Sequence, residues 1–112
     1  MVFEARLAAI AAAVEAGELL FSDHYLRDRL ADASRPRVTQ IREALLWPEA
    51  QVIEDYASHH FSPACLIWSK VESRIIHVLC TYPQDHPIVI TAYWPDARPD
   101  DWADEEFKVR RR

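Results

Sequence analysis

At 112 residues, half of them apolar, the chain has room for one domain with one core and no more. A formal net charge of -5 separates it from strongly basic proteins that bind nucleic acid nonspecifically. A single glycine excludes long flexible linkers, and no apolar run reaches the roughly 18 residues of a membrane span.

Phe3, Leu7, Ile10 and Val14 recur at helical spacing through an alanine-rich segment, and Gly17 stands where a left-handed helix end belongs. Residues 1–17 therefore read as an N-terminal helix. Its narrow apolar stripe either covers the sheet or joins a second copy in a homodimer. Residues 18–112 read as one α+β domain whose tail occupies 95–112. A short strand over 18–21 leads through Ser22 or Asp23, as N-cap, into a helix over 23–33. Leu26, Leu30 and Ala33 are expected to form its buried side, with His24, Arg27 and Asp28 on another face. Ser34 can cap a third helix with Pro36 in its first turn, and Trp47-Pro48 ends it. Val38, Ile41, Leu45 and Leu46 are the core-facing residues expected of that helix.

Residues 51–56 alternate, with Val52, Glu54 and Tyr56 pointing one way and Ile53 and Asp55 the other. A loop carrying His59 and His60 follows. Residues 65–94 then contain three apolar runs rich in β-branched and aromatic residues. Val71-Glu72-Ser73 makes a tight turn between the first two, and residues 82–87 a looser one before the third. Pro95, Asp96, Pro99, Asp100 and Asp101 break regular structure afterwards, while Trp102 and Phe107 are anchors that can pin the tail back. The predicted fold class is α+β, with helices packed on one face of a small antiparallel sheet. Its core order is β-α-α-β-β-β-β, with the extra N-terminal helix in front.

Strand parity places Ile76, Val78, Ile88 and Ile90 toward the helices, and His77, Thr91 and Tyr93 together on an open face. An imidazole beside a phenol there could serve acid/base chemistry, or could be a polar face holding an ordinary histidine. His24 and Arg27 could bind phosphate or simply be solvated. His59 and His60 lack a third ligand at metal spacing, His86 is a turn residue, and the acidic tail has no regular spacing, so no metal or cofactor is expected. Cys65 and Cys80 have no CxxC spacing and read as buried thiols in a reducing cytosol. No cationic start with an apolar leader is present, so a cytoplasmic location and no membrane partner are expected. Lys108, Arg110, Arg111 and Arg112 could be a solubilising run or bring cations to RNA or an acidic partner. No Gly-rich phosphate loop, GxSxG or HExxH is found.

Five stretches carry a family resemblance: SDHYLRDRL, VIEDY, CLIWSKVESRIIHVL, ITAYWPD and DWADEEFKVRRR. Together, over residues 19–112, they resemble the bacterial domain-of-unknown-function family 4258. The last stretch is the most specific, although Glu105-Glu106-Phe107 stands where the family pattern has aspartate-phenylalanine. The resemblance implies a RelE/ParE toxin-like fold, metal-independent cleavage of RNA, and an antitoxin-like partner of zinc-ribbon type. It implies acid/base roles for His24, His77 and Tyr93 and phosphate-binding roles for Arg27, Arg110 and Arg111. A noncatalytic interaction module, alone or as a homodimer through the N-terminal helix, is the alternative.

Overall fold

A computed structural model describes residues 2–60, 62–82 and 86–112. Its elements run α1 (Val2–Glu15), β1 (Leu20–Phe21), α2 (Asp23–Ala31), α3 (Val38–Leu46), β2 (Gln51–Tyr56), β3 (Ala64–Val71), β4 (Arg74–Thr81) and β5 (Ile88–Tyr93). Two short 3-10 turns follow at Pro95–Ala97 and Pro99–Asp101. The α+β class and the element order match the pattern read from the sequence. Strands β2 to β5 form an antiparallel meander, and β1 pairs in parallel with the outer edge of β5, giving the order β1-β5-β4-β3-β2. Residues 83–85 of the expected second turn lie outside the described residues.

The helices cover one face. Helix α1 ends at Gly17, φ 74°, where Glu18 N–H bonds Ala13 O at 2.8 Å and Gly17 N–H bonds Val14 O at 3.1 Å. Ile10 and Val14 are buried in the core, and α1 packs on α3 and β2. The stripe is thus largely used within the chain, leaving Phe3 as its exposed member. Ile41 and Leu45 of α3 are buried as expected, whereas Val38 and Leu46 are exposed at its ends. Arg37, not Ser34, is the N-cap of α3, and its N–H donates to the Gln40 side chain at 2.9 Å. Ser34 instead bonds Asp32, and buried Pro36 lies before the helix, its carbonyl accepting the Tyr25 hydroxyl at 2.7 Å.

Helix α2 corrects the periodicity reading. Tyr25, 1% exposed, is its buried residue, its ring 5.1 Å from Phe21, while Leu26 and Leu30 are 45% and 87% exposed. Ala33 lies beyond the helix end and is exposed. The helix lies beside β5, and the large ring with a buried hydroxyl partner rolls it away from the leucine side.

Two bulges correct the strand parities. A register shift between Val52 and Glu54 leaves Val52 against the helix-side core and sends Glu54 opposite Leu66 on the other face. A second shift pairs Leu79 with Thr91 but Cys80 with Val89. Val89 therefore joins the helix-side core cluster in place of Ile88 and Ile90, although Ile90 is itself buried. Cys65 and Cys80 pair across β3 and β4 as buried free thiols, and burial pushes Cys65 up to about 11.

The β3–β4 hairpin turns on Glu72 and Ser73, with φ values of 54° and 67°. Two non-glycine residues in the left-handed region suit a hairpin's twist but cost about 1–2 kcal/mol each. Ser73→Gly is expected to stabilise the domain by about 1 kcal/mol, read as a higher urea midpoint at unchanged m-value.

The face away from the helices is not open, which overturns the expectation for His77. Residues 102–110 fold back over it as a flap, bridged by Trp102 and Arg110. Ala103 N–H bonds Val109 O at 2.8 Å, and the Asp104 carboxylate accepts the Lys108 and Val109 amides at 2.9 Å each. Trp68 Nε1 donates to Glu106 O at 2.7 Å, and His77 Nε2 bonds Phe107 O at 2.8 Å. Trp102 fills the space beneath, 3% exposed. Both aromatic anchors expected in the tail are therefore in the flap, Trp102 acting through its ring and Phe107 through its carbonyl.

Candidate functional site: the Tyr93–Arg110 cleft

His77 and Tyr93 are register partners on β4 and β5, and their rings meet edge to face at 5.3 Å. His77 Nε2–H donates to the Phe107 carbonyl, so Nδ1 is the acceptor for the Tyr93 hydroxyl at 3.2 Å. The imidazole is 0% exposed and also contacts the Trp102 ring at 4.5 Å. Burial drives its pKa down to about 4, with Arg110 lowering it further and the Phe107 carbonyl opposing, so it is neutral near pH 7. Burial raises the Tyr93 phenol above its ordinary range, against the pull of Arg110, so it keeps its proton as well.

Arg110 links this pair to β2. Its guanidinium grips Glu54 in a bidentate pair, both bonds 3.0 Å, and lies over the Trp102 ring at 4.6 Å. The Tyr56 hydroxyl bonds the same carboxylate. Burial works to raise the Glu54 carboxyl, but these hydrogen bonds outweigh it and hold the acid below its usual range. The Glu54 pairing raises Arg110 further still.

Tyr93 and Arg110 border a cleft of about 440 Å³ that Arg35 and Arg98 also line. Arg35 sits 3.7 Å from Asp28, and Arg98, 82% exposed, pairs with Asp101 at 3.3 Å. The cleft therefore presents a proton-bearing phenol among three guanidiniums, each already paired with a carboxylate, and Asp32 and Asp101 are on its lining as well.

Of the six residues singled out in the sequence, the fold brings together His77, Tyr93 and Arg110. His24 lies elsewhere, exposed on α2 and 3.2 Å from Asp28. Arg27 is exposed on α2 and does not line the cleft. Arg111 clamps the flap, donating to Asp100 O at 2.8 Å and Trp102 O at 3.1 Å. Glu54, Arg35 and Arg98 were not foreseen. Glu54 could have been marked as an acid inside an otherwise regular strand, but its partner Arg110 lies too far along the chain for spacing to pair them. Among the described residues, no group of three or more His, Cys, Asp or Glu side chains could hold a metal ion.

A second cleft, about 600 Å³, is lined by other residues of β5. Its floor includes Leu79, Ile88, Ile90 and Thr91, and His24, His59 and His60 are on its walls.

These features define a small α+β domain, with helices on one face of a mixed, mostly antiparallel sheet and a C-terminal flap on the other. The chain belongs to the Domain of unknown function (DUF4258) family, whose model matches residues 7–94. The match takes in most of α1 and stops before the flap, whereas residues 19–112 were expected to carry the resemblance. No curated protein and no solved structure matches. No helix among the described residues is long and apolar enough to cross a membrane.

Proposed function

We propose that this chain is a RelE/ParE-like RNA-binding domain acting as a metal-independent endoribonuclease at the Tyr93–Arg110 cleft. The observation that carries the reading is the convergence of the Tyr93 phenol with Arg35, Arg98 and Arg110 around one cavity. Guanidiniums suit the charge that builds on phosphorus oxygens during attack. The ribose 2′-oxygen attacks phosphorus and its proton passes to water. The bond from phosphorus to the 5′-oxygen breaks, and the Tyr93 hydroxyl turns from His77 Nδ1 to give that oxygen its proton, which water then replaces. His77 acts from behind as a positioning residue, accepting the phenol hydrogen bond and seating the flap. His24, Arg27 and Arg111 lie outside this cleft. A cytoplasmic setting and an antitoxin-like protein partner belong to the same reading.

Tyr93→Phe is expected to lower RNA cleavage by about 100-fold or more while leaving RNA binding nearly unchanged, and to lower the melting temperature modestly because the buried His77 Nδ1 loses its hydrogen-bond partner. Arg98→Gln is expected to weaken binding and reduce the salt slope by about one. A wild-type protein that neither binds nor cleaves single-stranded RNA at low salt ends this reading.

One observation favours a noncatalytic interaction module instead. His77 is sealed, and both its ring nitrogens already have partners. In that reading Tyr93→Phe leaves every activity of the protein unchanged. The homodimer version must rely on little more than Phe3 of the α1 stripe, since Ile10 and Val14 are buried within the chain.

A further inference from the structure

We infer that the second cleft is a nucleobase site for the nucleotide adjoining the one held at Tyr93, an inference that rests on the RNA reading above. The two clefts share strand β5. Thr91 faces the second cleft and Tyr93 the first, both on the flap side of the sheet. Residues two apart on a strand are about 7 Å apart, a step comparable to one nucleotide of an extended single strand. A ligand lying along β5 would therefore reach both clefts with neighbouring units.

The chemistry of the clefts differs in the way the parts of a nucleotide differ. Around Tyr93 the walls carry guanidiniums, which suit phosphate. Around Thr91 the floor is Leu79, Ile88 and Ile90, with only the Thr91 hydroxyl among them, and His24 and His60 stand at the walls. An apolar floor suits the face of a base, and hydroxyl and imidazole groups suit its hydrogen-bonding edge. The bulge at Ile90 is what builds this floor. It turns Val89 into the helix-side core and leaves Ile88, partly exposed, and Ile90, 9% exposed, beside Thr91 on the cleft side. A volume of about 600 Å³ is ample for one base and lies in the range of small-ligand sites. No cationic side chain other than histidine is among its lining residues, so the cleft has no evident means of holding a second phosphate.

The test uses the full chain with three probes: a 2′-deoxy dinucleotide that resists cleavage, its analogues abasic at either position, and inorganic phosphate. Binding is followed by methyl NMR of Leu79, Ile88 and Ile90 and by the ring signals of Tyr93. The intact dinucleotide is expected to shift both sets and to bind at least tenfold more tightly than one of the two abasic analogues. That abasic analogue should still move Tyr93 and leave the three methyl groups in place. Leu20→Glu, on the exposed edge strand bordering the cleft, should remove the tenfold preference without lowering the melting temperature. Equal binding of intact and abasic probes, with only Tyr93 responding, overturns the base site and leaves the RNA reading standing. If no probe moves either set of signals, both are overturned.

Discussion

Trp102→Ala is expected to remove about 3–5 kcal/mol of stability and release the C-terminal flap, the largest effect of any single substitution considered. The ring is 3% exposed although it lies in a segment with only 3-10 turns and an isolated bridge around it. It packs on the edge of His77 at 4.5 Å and supports the Arg110 guanidinium at 4.6 Å. Its loss leaves a cavity over β4 and exposes the imidazole that fastens the flap. Domains of this size are stable by about 5–15 kcal/mol, so the variant should be marginal. Urea unfolding gives the magnitude. Native-state trypsin cleavage after Lys108 and Arg110, rapid in the variant and slow in wild type, reports release of the flap. Trp102→Phe should recover part of the loss. An alanine variant that loses under about 1 kcal/mol and keeps the wild-type cleavage rate would show that the flap is not part of the core.

The second large effect is a dependence of stability on pH between about 4 and 6.5, set by His77. In the folded chain this imidazole stays neutral down to about 4, whereas in the unfolded chain it takes a proton below its ordinary 6.5. The unfolded state thus binds more protons in that window, and stability falls as pH falls through it. The full loss is about 3 kcal/mol, reached once the pH is below the folded value. Above pH 6.5 this loss is absent. The depressed carboxylates behave differently. Glu54 is held low by Arg110 and Tyr56 against its burial, and Asp96 by Arg74, so both give up stability mainly below about pH 4. Urea midpoints measured across pH 4 to 7 should therefore slope in wild type and be nearly flat in His77→Gln. Equal slopes in the two proteins would mean that another group titrates there.

Much of the fold was legible because its signals are local. Alanine-rich spacing closed by Gly17 gave α1, and three β-rich runs gave the meander. What misled was sidedness. Helix α2 carries two leucines at helical spacing, yet Tyr25 takes the core because its hydroxyl has a partner at Pro36 and its ring one at Phe21. Alternation in β5 and β2 failed at single bulged residues, which no composition marks. One sign of a covered second face was present in β3. Residues 64–68 are apolar without interruption, the pattern of a strand buried on both sides. Reading that run literally would have placed a cover over Trp68 and therefore over His77.

The chain's own order of residues determined the elements, their sequence, and the placing of His77 and Tyr93 on one face of the sheet, since each follows from neighbours a few residues apart. Tertiary structure alone decided that the imidazole is sealed and that Arg110 meets Glu54 and Tyr93. It also decided that two clefts share one strand. These depend on a flap closing across sequence separations of 30 residues, from Phe107 to His77, and 56, from Arg110 to Glu54. The energy of such closure lies in burial and long-range hydrogen bonds, which local spacing does not encode.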